Sequence, residues 1–213
     1  MGLVVGGAMS GGATLASPFG ASAADVAARY AAHDEAFRLA ALLQFGAAVP
    51  LGIFAATVYS RQLRLGIRVP GPSIGFYGGV FAAVFLGLSG LITWTAAQAG
   101  VASDAVLTHA LAYLAFATGG VGFAVGLGLL VAGAAVPALV LRLVPRWLAW
   151  TGLVLAAVGE LTFFSLVITP LEHLLPIARF GGLIWLIAYG FLLPHTRHEV
   201  ARVTPAVRPA AHL

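Results

Sequence analysis

Residues Ala105–Gly133 read AVLTHALAYLAFATGGVGFAVGLGLLVAG, 29 positions without an Asp, Glu, Arg or Lys. A bilayer-spanning helix needs roughly 20 apolar residues, so this stretch alone is long enough to cross. Working outward, five more runs show the same character: Leu3–Pro18, Phe37–Tyr59, Ser73–Gln98, Trp147–Val167 and Leu174–Leu193. The fold class expected is all-α, a polytopic membrane bundle of six transmembrane helices spanning residues 1–194, followed by a disordered polar tail at 195–213 with Pro205 and Pro209. The run at Leu3–Pro18 is short and Gly-rich, and Ala21-Ser22-Ala23 behind it has the small-residue pattern of a signal-peptidase site. A secretory leader carries positive charge ahead of its apolar run and this one carries none, so it is read as a retained span.

Composition agrees. The chain is 61% hydrophobic and 8% charged, and so few charges cannot cover the surface of a soluble domain, where about a quarter of residues are charged. Cysteine is absent, which removes disulfides, thiolate nucleophiles and iron–sulfur clusters. The eleven basic residues are all arginine, so Schiff-base chemistry with retinal or pyridoxal phosphate is excluded too. An Ala-, Gly- and Arg-rich chain without lysine suggests a GC-rich bacterial genome. The net charge of +4 comes from arginines dispersed over loops, which fits orientation signals and lipid headgroups; no nucleic-acid partner is expected.

Arginine also sets the orientation. With six spans, Arg61, Arg64, Arg68, Arg142, Arg146, Arg197, Arg202 and Arg208 share one side, while Asp25, Asp34, Glu35, Asp104 and Glu172 lie opposite with Arg29 and Arg38. The positive-inside rule makes the arginine side cytoplasmic, with both termini, in a bacterial plasma membrane. Ser22 reads as the N-cap of a short outer interfacial helix over residues 23–33. Gly119-Gly120 is expected to bend the fourth run, and Pro137 to start a separate short segment. Gly122 and Gly126 have the small-xxx-small spacing of close helix packing. Trp94, Trp147 and Trp150 stand near run ends, as in an aromatic belt.

At Arg142–Leu153 the chain reads RLVPRWLAWTGL, and at Ser22–His33 SAADVAARYAAH. The pattern Leu-x-Pro-Arg-Trp-Leu-x-Trp-x-Gly-Leu, with the second stretch as an outer helix, resembles a large group of six-helix bacterial integral membrane proteins, a domain-of-unknown-function family. The resemblance implies the fold and contributes no catalytic residues.

Chemistry is sparse. Apart from Arg38 at the very start of one run, only Arg179 and Glu160 carry charge inside the long apolar runs, and ionisable residues there are costly and frequently functional. Glu160 lies ten residues before Pro170 and Arg179 nine after. A hairpin at Thr169-Pro170 would therefore set both at roughly 13–15 Å depth at 1.5 Å per residue, and a salt bridge between the last two spans is expected. With His109, Tyr113 and Gln44 they form a candidate polar cavity opening outward; an ordinary structural ion pair and a packing histidine are the plainer alternatives. No helix carries a His pair at i, i+4 and haem ligands do not face each other, so no metal or cofactor is expected.

Gly71-Pro72-Ser73-Ile74-Gly75 matches G-x-S-x-G but opens a membrane helix rather than ending a strand. Gly87-Leu88-Ser89-Gly90 resembles the G-x-S-G of rhomboid proteases, yet the partner histidine helix and the oxyanion motif are missing. The function expected is a non-enzymatic one: binding of a lipid or small molecule, or service as a complex subunit or homo-oligomer. The alternative is a membrane-embedded enzyme using Glu160 and Arg179.

Overall fold

The computed structural model describes residues 18–194. It is helical, with no strand among the described residues. Helix α1 covers Ala23–Ala32. Five further helices are long and apolar enough to cross a membrane: α2 at Asp34–Arg64, α3 at Pro70–Ala96, α4 at Ala105–Val140, α5 at Arg146–Leu166 and α6 at Thr169–Leu192. The remaining run expected to span, Leu3–Pro18, and the tail at 195–213 lie outside the described residues except for Pro18.

Glycine determines how these helices meet. In α2 and α3, Ala48 faces Gly87, Gly52 faces Ala83 and Ala55 faces Gly79, an antiparallel register of small residues on both sides. Between α3 and α4 the pairs are Gly71 with Pro137, Gly75 with Gly133, and Ala82 with Gly126. A Cβ at Gly126 would stand 2.6 Å from the Ala82 nitrogen, so backbone lies on backbone there. Gly128 and Gly159 seat α5 against α4, and Gly182 admits Leu127 between α4 and α6. Helices in lipid gain from such close van der Waals packing because burial of apolar surface offers little there.

Helix α4 is the centre. Of its most apolar stretch 67% is buried, against 44% or less in the other four, in keeping with the absence of Asp, Glu, Arg and Lys from Ala105–Gly133. The expected break at Pro137 does not occur: α4 continues as helix to Val140. Pro137 lies in the last turn, where it forgoes the one bond its N–H would have made to the Gly133 carbonyl while its ring packs on the bare backbone of Gly71. At Gly119-Gly120 the expected bend takes the form of a π-helical segment, Ala117–Gly122.

The two ends differ in charge. Arg61, Arg64, Arg68, Arg142 and Arg146 lie at one, while Asp25, Asp34, Glu35, Asp104 and Glu172 lie towards the other. At the arginine-rich end α2 and α4 close with the same motif. Gly66, at φ 84°, and Arg142, at φ 53°, occupy the left-handed position; Ile67 and Leu143 then donate back to Gln62 and Ala138 at 3.2 and 2.9 Å, and both anchor side chains are buried. Arg61 donates to the carbonyls of Gly190 (3.0 Å), Pro194 (3.3 Å) and Leu193, tying α2 to the end of α6. Beside it Gln62 donates to Tyr189 Oη at 3.1 Å, and Tyr189 donates to Ala134 O at 3.3 Å.

At the acidic end Ser22 caps α1 as expected, accepting from Asp25 N at 3.1 Å and donating to its carboxylate at 2.6 Å. These bonds hold the Asp25 carboxyl below its ordinary value. Tyr30 of α1 stacks on Phe37 of α2 at 4.0 Å, and burial pushes its phenol up to about 12. Trp94, Trp147 and Trp150 are all exposed near helix ends. Trp185, by contrast, is buried and donates to Leu148 O at 2.7 Å.

Candidate functional site

A cavity of about 230 Å³ lies beside α4, between α3 and α6. Its wall combines apolar side chains (Phe116, Leu175, Phe180) with three polar ones: Ser89, Glu172 and Arg179. The geometry begins with two irregularities. Helix α4 runs as π-helix over Ala117–Gly122, and α6 does the same over Ile177–Gly181. A π-turn lengthens the hydrogen-bonded ring by one residue, disturbs the i→i−4 ladder and is frequent at functional sites. The two segments face each other across the cavity wall, because Nη2 of Arg179 in one donates to the carbonyl of Gly119 in the other.

Arg179 is held by two contacts. One is that hydrogen bond; the other is the ring of Phe123, 4.7 Å from its Cζ. A cation over an aromatic face in a desolvated place gains up to about 2 kcal/mol, which offsets part of the roughly 2.5–3.5 kcal/mol cost of a mid-membrane arginine. The sole ion pair among the described residues is Arg38 with Asp34, at the acidic end of α2. The expected salt bridge between Glu160 and Arg179 is therefore not formed.

The reason is helical phase as much as depth. The α-helical part of α5 ends at Leu161, and Thr162–Leu166 is wound as 3₁₀-helix. That winding rises about 2.0 Å per residue, which carries Glu160 deeper than a regular helix would. Glu160 packs beside Gly128 of α4, while Arg179 meets Gly119 and Phe123, a turn or more nearer the acidic end. Glu160 is exposed on the outer surface of the bundle and lines no part of the cavity. The enzyme alternative, which needs both residues in one place, loses its geometry.

The remaining expected residues divide. Gln44 of α2 is buried and donates to Leu86 O at 3.4 Å, with its amide against the cavity-lining Gly119. His109 and Tyr113 lie further towards the acidic end of α4, their rings 4.7 Å apart. His109 Nε2 is 3.4 Å from Pro18 O, and Tyr113 packs edge-on with Phe19 at 5.3 Å. Phe19 also meets Phe116 at 5.3 Å, so this aromatic group borders the cavity through one shared ring without lining it.

Two cavity residues, Ser89 and Glu172, enter that the sequence did not bring forward for this site. Ser89 was weighed only as a nucleophile; it is fully buried and donates to Ala115 O at 2.8 Å, with no histidine in its hydrogen bond. One turn on, Thr93 is buried with its hydroxyl unpartnered among the described residues. Glu172 was read as an interfacial charge and stands on the cavity wall, engaged in contacts of its own. Gly119 is irreplaceable, because a Cβ there would fall on the Ser89 hydroxyl and 2.9 Å from Gln44 Nε2. Gly120 has room: its Cβ would meet only ordinary contacts, the nearest 3.5 Å from Leu175. Among the described residues no group of acids and histidines could hold a metal ion. No family model matches the chain, and neither does any curated protein or solved structure.

Proposed function

We propose that this is a multi-pass protein of a bacterial plasma membrane that binds a lipid or small amphiphile, without chemistry of its own, in the cavity between α3, α4 and α6. One observation carries the proposal: a mostly apolar cavity at membrane depth whose wall holds a half-buried arginine. Binding sites of this kind join an apolar lining with a few placed polar groups, and an intramembrane ionisable residue is a functional-site hypothesis by default. The positive-inside rule puts the arginine-rich end in the cytoplasm and the cavity in the outer half of the bilayer. The five long apolar helices support the membrane part of the proposal.

The test fills the cavity without touching its polar groups. The protein purified in mild detergent is expected to carry a co-purifying amphiphile at near-stoichiometric level by native mass spectrometry. Gly120→Leu, placed where a side chain enters the cavity, is expected to lower that level at least tenfold with the thermal transition retained. Equal occupancy in the two proteins would overturn the proposal.

A further inference from the structure

The polar half of the cavity says which amphiphile it takes. Arg179 uses Nη2 on the Gly119 carbonyl, and its Nε and Nη1 have no hydrogen-bond partner among the described residues. The side chain is only part-buried and stands on the cavity wall, which leaves these atoms open to it. A guanidinium presents its five N–H groups in a fixed planar fork, which suits the two oxygens of a carboxylate or phosphate. The contacts already made lock that fork in place. The Gly119 carbonyl takes one of the two Nη2 hydrogens and the Phe123 ring holds the face, so the second Nη2 hydrogen and that of the neighbouring Nε or Nη1 form one open edge with little rotamer freedom left to lose.

Among the described residues no carboxylate fills the role. The one ion pair among the described residues lies elsewhere, at Arg38–Asp34. Glu160 faces away, and Glu172 stands seven positions back along α6 with its own contacts. Beyond the fork the apolar wall is Phe116, Leu175 and Phe180, with Ser89 and Glu172 as its other polar side chains. At about 230 Å³ the space is smaller than the roughly 300–1,000 Å³ usual for a whole drug-sized ligand. It admits a head group with the first part of one chain, the rest of the chain remaining among lipid.

We infer that the cavity binds an anionic, single-chain head, a carboxylate or phosphate monoester, with the anion on the open edge of Arg179 and the chain leaving along Phe116 and Phe180. The inference rests on the amphiphile-binding reading above and specifies the charge and size of its ligand. The anion could come from a free fatty acid or from a phosphate-headed lysolipid, and the shared chemistry is an oxyanion with two oxygens available to the fork.

The experiment uses the full chain and four probes of matched chain length: palmitate, hexadecanol, palmitoyl lysophosphatidate and palmitoyl lysophosphatidylcholine. Occupancy is read by native mass spectrometry at pH 8, for the wild type, Arg179→Gln, Arg179→Lys and Gly120→Leu. The wild type is expected to bind palmitate or lysophosphatidate at least tenfold more tightly than hexadecanol, and the better of the two identifies the source. Arg179→Gln is expected to abolish that preference, with hexadecanol binding unchanged, and Arg179→Lys to recover part of it. Equal binding of palmitate, lysophosphatidate and hexadecanol by the wild type would overturn the anion assignment. In that outcome a loss of all binding in Gly120→Leu would still uphold an amphiphile cavity. Binding of all probes equally by wild type and Gly120→Leu would remove the cavity reading as well. Preference for lysophosphatidylcholine over both anions would overturn the inference in favour of a zwitterionic head. The comparison of probes on the wild type decides the matter even if Arg179→Gln fails to fold.

Discussion

Single arginines determine much of this protein, and they do so in different ways. Arg61 donates to three carbonyls at the end of α6, groups that a helix terminus otherwise leaves orphaned. It also places a positive charge at the negative end of that helix. Arg61→Ala is expected to destabilise the protein by about 2–3 kcal/mol, the range of hydrogen bonds from charged donors. Thermal unfolding in detergent would show it, with Arg61→Lys recovering only part because a lysine lacks the planar fork. Arg179 is the opposite case, a charge that the described residues leave incompletely satisfied. Because Glu160 faces elsewhere, the losses in Glu160→Gln and Arg179→Gln are expected to add, with a coupling below about 0.5 kcal/mol. A double-mutant cycle giving more than about 1 kcal/mol of coupling would restore the ion pair that the sequence suggested. That suggestion failed for a physical reason. Counting residues from a turn gives depth only if both helices rise regularly, and it never gives phase. Here one helix ends in 3₁₀ winding and the other carries a π segment, and neither is written in hydropathy.

At the scale of elements, the sequence was more legible. Long apolar runs with at most one charge each located the five long helices, because a helix crossing lipid must be apolar over most of its length. The cap at Ser22 was visible because its carboxylate partner follows three residues later. The helix-packing register was also present in the sequence, in the glycines of α3 set against those of α4, but reading it needs the knowledge that those helices are neighbours. Helix ends offer a direct test. Gly66 and Arg142 occupy equivalent left-handed positions after α2 and α4, and a non-glycine residue there costs about 1–2 kcal/mol. Arg142→Gly is expected to raise stability by about 1 kcal/mol, and Gly66→Ala to lower it by a similar amount. Chemical denaturation in mixed micelles measures both. If Arg142→Gly lowers stability instead, the side chain makes an interfacial contact worth more than the strain.

For the whole molecule, the distribution of charge gives the strongest expectation. Arginine gathers at one end of the bundle and acid at the other. Reporter fusions at Arg64 are expected to read cytoplasmic, and at Asp104 external, by the positive-inside rule. A cytoplasmic Asp104 would invert the bundle and turn the cavity towards the inner leaflet. The bundle's shape was foreseeable only in part. Length and apolarity made it a helical membrane protein, whereas the cavity arises where Gly119 and Gly120 leave α4 bare beside Ser89 and Arg179. Glycine removes side-chain bulk but does not say whether a neighbour or empty space takes its place.

The paired π segments carry one more consequence, for chain length. A π-turn holds one residue more than an α-turn, so each of these helices contains a surplus position at the level of the cavity. Removing one residue from an ordinary buried helix rotates everything beyond it by about 100° and exposes its packing face. Removing Ala117 instead lets the segment at Ala117–Gly122 rewind as α-helix, with the flanking stretches kept in register against α3 and α5. Such a deletion would leave the bundle assembled and discard the Gly119 carbonyl that steadies Arg179. The extra residue is thus separable from the architecture and tied to the site.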